Sequence, residues 1–283
     1  MSAAVRPGGP RVAFWLLAPA LLLYGVVFLW PTGVMLARSV IEDGALSAAN
    51  YAELASTPLY LNVIATTFRF AFVVTALCLV LGYPIAMLMA RGSWRARALL
   101  TVAVVVPYWL DYIVRTYSWM VLLGRNGFVN QVLVGLGLVD NPTSFLSSDF
   151  AVIVGMVQVM LPLMILSLFA GMTRIDGELL EAASAHGARG FAAFRTIFLP
   201  LSLPGVIAGC LLTFVNTLGF YITPALLGGP KQTMISQSID VLASKLLDWP
   251  LASALSAVLL AVTVLVLAIF NRLFGFERLA GGR

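Results

Sequence analysis

Six long apolar stretches, separated by short polar segments, make up the pattern of this 283-residue chain. Each is close to the ~20 apolar residues that an α-helix needs to cross a bilayer, and none shows the alternating segments of about ten residues that form membrane β-strands. The pattern predicts an all-α integral membrane protein with a single transmembrane domain over residues 1–283. The predicted spans are 12–36, 62–90, 98–123, 150–172, 201–227 and 251–273.

Composition excludes a water-soluble fold. The chain is 61% hydrophobic and 10% charged, whereas globular domains carry about 25% charged residues. The net charge of +5 does not indicate a nucleic-acid partner, because the arginines flank the apolar stretches, where they orient a membrane protein. Cys78 and Cys210 lie within apolar stretches and are predicted to be buried free thiols. With His186 as its single histidine, the sequence predicts no metal site.

The distribution of arginines predicts the orientation of the spans. By the positive-inside rule, the side that carries most of them is cytoplasmic. Both termini are therefore expected in the cytoplasm, with the spans in a bacterial inner membrane. The first stretch resembles a signal peptide, but it exceeds the ~7–15 apolar residues of one and is expected to stay uncleaved. The arginines predicted to be cytoplasmic are Arg6, Arg11, Arg91, Arg95, Arg97, Arg174, Arg189, Arg195, Arg272, Arg278 and Arg283.

A polar segment, residues 174–200, separates the fourth and fifth spans on the predicted cytoplasmic side. Asp176 is a suitable N-cap, and Glu181 places negative charge early in the helix that follows. Ala183 and Gly187 lie on one helical stripe, where small residues allow another surface to approach closely, and Gly187 can end the helix. The segment has the features of a docking surface for a soluble protein, although a well-capped hairpin without a partner would share them.

The spacing in this segment resembles the coupling motif of permease subunits in binding-protein-dependent ABC importers. The motif is Glu-Ala-Ala, three residues, glycine, and then nine residues to Ile-x-Leu-Pro. Its position before the penultimate span also matches that family, and the resemblance covers nearly the whole chain. The coupling motif occupies 181–187 and 197–200, and the segments that resemble the polyamine-type branch are 81–84, 114–119 and 226–229.

The resemblance implies the type I ABC importer permease fold and a set of partners. This chain and a second, related permease subunit would form the translocation path. Two copies of a cytoplasmic ATPase, which bind ATP and magnesium, would drive transport, and a periplasmic binding protein would deliver the solute. The permease itself would hold no cofactor and would not be an enzyme; residues 228–233 lack the spacing of a phosphate-binding loop. The residues assigned to ATPase coupling are Glu181, Ala182, Ala183, Gly187, Ala188 and Phe194.

Polar and aromatic residues in spans three and five are candidates for the substrate path. Asp111 and Arg115 stand four residues apart on one face of the predicted third span, and a charge near the bilayer centre costs at least ~2.5–3.5 kcal/mol. The two residues either neutralise each other or line the substrate path, and these two interpretations are compatible. Asn216 either forms an inter-helix hydrogen bond or lines a cavity, and Arg69 is expected to extend to the outer interface. The predicted path residues are Tyr108, Trp109, Asp111, Arg115, Trp119, Asn216, Phe220 and Tyr221.

The segment after the fifth span departs from the polyamine pattern. Members of that branch often carry Gly-Glu-Phe-Val-Ile-Pro-Asp-Leu-Leu-Gly-Gly where this chain has residues 219–229, so Phe220 and Ala225 replace both acidic positions. A polycation needs carboxylates or aromatic faces in place of its hydration shell, and here only the aromatics remain. The predicted class of solutes therefore includes polyamines, amino acids, opines and similar small amines.

The sequence thus predicts a permease subunit that carries a small hydrophilic solute from the periplasm to the cytoplasm, driven by a separate ATPase through segment 174–200. A self-sufficient secondary transporter or channel is the alternative, and it would leave the polar segment without a purpose. A membrane-embedded enzyme fits less well, because the sequence shows no catalytic constellation.

Overall fold

The structure, a computed structural model, describes residues 10–42, 45–179 and 190–274. Its regular elements are helices and one two-stranded antiparallel ribbon, β1 (Ile41–Glu42) and β2 (Ala45–Leu46). The helices are α1 Pro10–Tyr24, α2 Trp30–Val40, α3 Ala49–Ser56, α4 Pro58–Arg91, α5 Trp94–Trp109, α6 Tyr112–Leu123, α7 Phe128–Gly135, α8 Asp149–Met172, α9 Phe191–Ala193, α10 Leu199–Leu218, α11 Ile222–Leu227, α12 Ile235–Asp240 and α13 Trp249–Phe274, with π-helical turns at Gly25–Leu29, Phe194–Phe198 and Val241–Lys245.

The chain divides into two compact units, Met1–Thr57 with Ile239–Val258, and Pro58–Ser238 with Leu259–Arg283. In the first unit, α1 continues through a π-helical turn into α2. The hydroxyl groups of Ser39 and Tyr51 lie 2.8 Å apart and join α2 to α3. The second unit contains α4 to α11 and, with them, every described residue predicted for the substrate path or for coupling.

The helices account for the predicted membrane spans. Among the described residues, five are long and apolar enough to cross a bilayer: Leu17–Val40, Pro58–Arg91, Asp149–Met172, Phe191–Leu218 and Trp249–Arg272. A bent pair, Trp94–Trp109 with Tyr112–Gly135, makes a sixth if it is counted as one span. The chain is therefore an all-α, multi-pass membrane protein, as its apolar pattern predicts.

Three helices, α4, α8 and α10, form the core of the second unit. α4 and α8 run in the same direction: Arg69, in the first half of α4, contacts Asp149 at the start of α8, and Arg91, at the end of α4, contacts Ile175 just after α8. α10 runs in the opposite direction, because Gly205 in its first half meets the end of α8.

α8 and α10 approach each other backbone to backbone at one point. A Cβ atom added to Gly171 would lie 2.6 Å from the Cα atom of Gly205, and one added to Gly205 would lie 3.0 Å from the Cα atom of Gly171. One turn further along, a Cβ on Gly209 would lie 2.8 Å from the sulfur of Met164. Small residues at such crossings let membrane helices gain van der Waals contact that larger side chains would prevent. We call the Gly171–Gly205 crossing the glycine contact.

The predicted third span is not one helix. α5 ends at Trp109 and α6 begins at Tyr112, and the segment Tyr112–Gly135 is bent by 96° from α5. Asp111 occupies the N-cap of α6, where its Oδ1 accepts a hydrogen bond from the Ile113 amide at 2.7 Å. A short acidic side chain that bonds the backbone in this way starts a new helix in place of continuing the old one.

The predicted fifth span, 201–227, is also interrupted. α10 ends at Leu218, and α11 begins at Ile222. Pro224 explains the break: in a continuous helix its ring would clash with the carbonyl group of residue 220, whereas in the first turn of a new helix its missing N–H group is not needed. Gly219, a poor helix former, stands at the point of interruption.

Candidate substrate path and coupling site

The two breaks border one cavity. Its volume is about 350 Å³, and apolar residues of α8, including Val159, Met160 and Leu163, form part of its wall. The interrupted third span and the end of α10 supply the polar and aromatic groups. Five residues predicted for the substrate path line this cavity: Tyr108, Asp111, Arg115, Asn216 and Phe220.

Asp111 and Arg115 do not form an ion pair in this structure, although they interact electrostatically across a longer distance. Within the described residues, the ion pair between Arg69 and Asp149 is the only one with a nitrogen–oxygen distance of 4 Å or less. Arg115 is 8% exposed, and its Nε and Nη1 groups have no hydrogen-bond partner. Of the two interpretations left open by the sequence, the internal ion pair is therefore wrong here, because Asp111 caps α6 and does not extend along its face.

Asn216 and Phe220 reach the cavity by different routes. Asn216 lies in α10 and donates a hydrogen bond from Nδ2 to the Leu212 carbonyl, at 2.8 Å within its own helix. Of the two alternatives for Asn216, the structure shows the cavity wall, and among the described residues it shows no inter-helix hydrogen bond. Phe220 lies beyond the end of α10, so it does not share a helical face with Asn216, yet both side chains line the cavity.

Three predicted path residues do not line this cavity. The side chain of Trp109, the last residue of α5, is 84% exposed. Trp119 packs against the core cluster of the second unit. Tyr221 stands immediately before α11 and is also exposed. For these three the prediction of a role in the path has no support from the geometry of this chain.

The predicted coupling segment is described only at its two ends. Glu181, Ala182, Ala183, Gly187 and Ala188 lie outside the described residues. On the near side, Asp176 accepts a hydrogen bond from the Glu178 amide at 3.0 Å, which confirms its predicted capping role. On the far side, Phe194 starts the π-helical turn that leads into α10.

Phe194 is held by an aromatic cluster. Its ring meets the Tyr83 ring edge to face, with centroids 6.0 Å apart, and stacks on Phe198 at 6.1 Å. The Tyr83 hydroxyl in turn lies 2.8 Å from the Ser202 hydroxyl. Because Tyr83 belongs to α4 and the other residues to the turn and α10, the cluster joins the far end of the coupling segment to two core helices.

Arg91 connects both ends of the coupling segment, a role that the sequence does not reveal. Its Nη2 donates a hydrogen bond to the Ile175 carbonyl at 3.0 Å, and its guanidinium lies 5.4 Å from the centre of the Phe198 ring. Ile175 lies near the start of the segment and Phe198 near its end. We call these three residues the Arg91 clamp. In the sequence Arg91 reads only as a cytoplasmic arginine, and no local signal pairs it with a carbonyl group 84 residues away.

A second polar site, also missed in the sequence, lies at the opposite ends of α4 and α8. Arg69 Nη2 is 2.8 Å from Asp149 Oδ2, so Arg69 has an ion-pair partner and does not simply extend to the interface. Gln232 donates from Nε2 to Asp149 Oδ1 at 2.8 Å and accepts from the Gly229 amide at 3.1 Å. We call these four residues the Arg69 network. It borders a cavity of about 650 Å³ that Lys231 also lines.

Comparison with known proteins gives the family. Residues 82–276 match the model of the family described as "Binding-protein-dependent transport system inner membrane component". The chain is 35% identical to the spermidine/putrescine transport system permease protein PotB of Haemophilus influenzae, over 92% of this chain and 88% of that protein. It is 31% identical to the inner membrane ABC transporter permease protein YdcU of Escherichia coli, over 97% of each chain.

Solved structures show the same fold. A chain of a bacterial alginate ABC transporter, crystallised with a periplasmic protein that holds an alginate pentasaccharide, superposes with a TM-score of 0.73 at 20% identity, over 94% of this chain and 96% of that one. The family match and the relatives cover most of the chain, including the core helices and both breaks. This chain therefore belongs to the inner-membrane permeases of binding-protein-dependent ABC importers, near the polyamine permease branch, as a non-catalytic multi-pass subunit that acts with an ATPase and a substrate-binding protein.

Proposed function

We propose that this chain is one of two related permease subunits of an importer powered by two ATPase subunits, and that segment 174–200 transmits ATPase closure to the membrane helices. ATP and magnesium would bind to the ATPase, and a periplasmic binding protein would deliver the solute. The solute is a polyamine, an amino acid, an opine or a similar small amine. The similarity to a spermidine/putrescine permease supports a small amine.

The Arg91 clamp is the observation that carries the coupling proposal. Through Ile175 and Phe198 it ties both ends of the segment to the end of α4. The glycine contact, close by, fixes α8 against α10. A force applied to the segment would therefore move α4, α8 and α10 as a body, which is how packed helices transmit a conformational change.

The placement of arginines in the second unit supports the orientation with both termini in the cytoplasm. Arg91, Arg95 and Arg97 lie around the turn between α4 and α5, and the Arg91 clamp brings this turn next to Arg174 and Ile175. The arginines thus gather at the end of the unit that carries segment 174–200. By the positive-inside rule that end faces the cytoplasm.

Substitution of Gly187 tests the coupling role. The complete importer is reconstituted in liposomes with its binding protein, and solute uptake and ATP hydrolysis are measured together. We expect Gly187→Trp to insert and assemble but to lose uptake, because the bulky ring would prevent close docking on the ATPase. Gly135→Trp is the matched control, since a Cβ on Gly135 meets no atom within 4 Å. Wild-type uptake by Gly187→Trp would refute the lever.

The same liposomes separate this proposal from a self-sufficient transporter. With the ATPase left out and an ion gradient imposed, we expect no uptake. Uptake by the chain alone would favour a secondary transporter or channel and leave segment 174–200 without its proposed function.

Cysteine labelling tests the orientation. In a background without Cys78 and Cys210, we expect Asn126→Cys, which is exposed between α6 and α7, to react with a membrane-impermeant maleimide in spheroplasts. Ala4→Cys and Ala280→Cys should react only after the membrane is opened. Labelling of either terminus in intact spheroplasts would overturn the predicted orientation.

A further inference from the structure

The cavity between the two breaks contains one cationic and one anionic side chain, which interact electrostatically but lie too far apart for an ion pair. Arg115 is 8% exposed, and its Nε and Nη1 groups point to no acceptor among the described residues. Asp111 uses Oδ1 to cap α6. Both residues line the cavity. A pair of opposite charges held apart in this way is available to a ligand that carries both signs.

A buried guanidinium without acceptors is costly. Its N–H groups have lost their hydration, and in a membrane protein an ionised side chain needs a partner or water. Within the described residues this chain offers Arg115 no carboxylate within ion-pair distance. A carboxylate suits an arginine best, because it accepts two hydrogen bonds in a bidentate pair, from Nη2 together with either Nε or Nη1.

The rest of the cavity suits an ammonium group. Asp111 offers negative charge, and the rings of Tyr108 and Phe220 line the same space. Aromatic faces attract cations, most strongly where water is excluded. The lining is formally neutral, with one arginine and one aspartate. A polycation would meet the arginine without a second carboxylate to offset it, whereas an amino carboxylate would match both charges.

We propose that this cavity receives a zwitterionic amino carboxylate, with the carboxylate of the solute on Arg115 and its ammonium group near Asp111 and the aromatic rings. This inference rests on the proposed importer function and narrows its solute class. It makes Arg115 the residue that distinguishes an amino acid or opine from a polyamine.

Ornithine and putrescine test the assignment, because ornithine is putrescine with one carboxylate added. Equilibrium binding of each radiolabelled probe is measured on the purified importer, both permease subunits with the ATPase, without nucleotide or binding protein. We expect ornithine to bind and putrescine to bind at least about tenfold more weakly, since only ornithine can form the bidentate pair. In Arg115→Gln, ornithine binding should fall to the level of putrescine while putrescine binding does not fall.

Two further variants separate recognition from a structural role. Arg115→Lys keeps the charge but not the planar pair of donors, so we expect an intermediate loss for ornithine. Arg125→Gln is the matched control, because it removes an exposed arginine that does not line this cavity, and binding of both probes should be unchanged. Size-exclusion profiles of all variants show whether the importer is assembled.

Several results would overturn the inference. They are equal binding of the two probes to the wild type, no detectable ornithine binding at millimolar concentration, and equal loss of both probes in Arg115→Gln. A carboxylate of the second permease subunit paired with Arg115 would produce the first or second of these. The importer function fails on a different measurement, uptake without the ATPase, so the two failures can be told apart.

Discussion

The two ends of the α4–α8–α10 core are built differently. At the end that carries segment 174–200, α8 and α10 meet at the glycine contact, where not even a Cβ atom fits, and the Arg91 clamp and the Phe194 cluster surround it. At the other end, the Arg69 network holds α4, α8 and residues 229–232 through polar side chains. Those of Arg69 and Asp149 are 53% and 41% exposed, whereas Gln232 is buried.

This difference separates two mechanical roles. Backbone contact cannot be exchanged for contact with water, so the glycine end can move only as a body. An exposed ion pair such as that of Arg69 and Asp149 exchanges with water at little net cost. In the proposed import cycle, the Arg69 end would therefore open and close while the glycine end stays packed. The importer would then have a rigid end for the ATPase and an adaptable end for the solute.

Filling the glycine contact should have the largest effect. In Gly171→Leu the new Cβ would lie 2.6 Å from the Gly205 Cα and 3.1 Å from its nitrogen, both backbone atoms that cannot turn aside. We expect a loss of stability of more than about 3 kcal/mol, at the upper end for an overpacked core, and no assembled importer. Thermal unfolding followed by size-exclusion chromatography measures it. Gly135→Leu, in open space, should be close to wild type; a normal unfolding temperature for Gly171→Leu would mean that the two helices are not in backbone contact.

Removing the Arg91 clamp should have the next largest effect, and on coupling more than on folding. Arg91→Ala loses a charge-assisted hydrogen bond to Ile175 and a cation–π contact with Phe198. Uptake per ATP hydrolysed should fall about tenfold, equivalent to about 1.4 kcal/mol. Arg95→Ala is the control, because Arg95 lies at the same turn and its guanidinium stacks over the neighbouring Trp94, not over Phe198. Equal losses in the two variants would show that positive charge at this turn matters and the clamp does not.

Truncating Phe194 should weaken the same end by a smaller amount. Phe194→Ala removes the ring that meets Tyr83 and Phe198, and aromatic pairs of this kind contribute about 0.5–1.5 kcal/mol beyond their buried area. We expect a lower unfolding temperature and a modest fall in uptake per ATP, with Phe194→Leu in between. Phe128→Ala is the matched control, since that ring is 64% exposed and lies outside the cluster, whereas the Phe191 ring lies 6.1 Å from Phe194. If Phe128→Ala costs as much as Phe194→Ala, the cluster does not anchor the segment.

The same contrast explains how much the sequence predicts. The spans follow from the length of each apolar stretch, and Asp176 as an N-cap follows from its own side chain. Five of the predicted path residues line one cavity, and they lie in or next to the two interrupted spans. These signals are local, so one sequence is enough to read them.

The features that the sequence does not predict are mainly contacts between residues far apart in the chain. The partnership of Arg69 with Asp149 and Gln232 depends on which helix ends meet, and the Arg91 clamp joins positions 84 residues apart. The prediction of continuous third and fifth spans, without the breaks at Asp111 and Gly219, is wrong for another reason. Hydrophobic content sets the length of a span, but one N-cap or one proline decides whether it is continuous.

The smallest predicted effect is the coupling energy between Arg69 and Asp149. It tests whether the Arg69 end of the core is held more weakly than the glycine end. In a double-mutant cycle of Arg69→Gln and Asp149→Asn, we expect a coupling energy below about 1 kcal/mol, as for other exposed ion pairs. Asp149→Asn alone should cost more than Arg69→Gln alone, because Asp149 also accepts the hydrogen bond from Gln232. Thermal unfolding of the four proteins in detergent gives all three quantities.

A coupling energy above about 2 kcal/mol would contradict the proposed difference between the two ends. Values of that size are found for buried charge pairs whose partners cannot exchange with water. The Arg69 end would then be as rigid as the glycine end, and opening toward the solute would have to occur elsewhere, at the interrupted spans beside Asp111 and Phe220. Added salt distinguishes the cases further: it should weaken a pair whose side chains are half exposed and leave a buried one nearly unchanged.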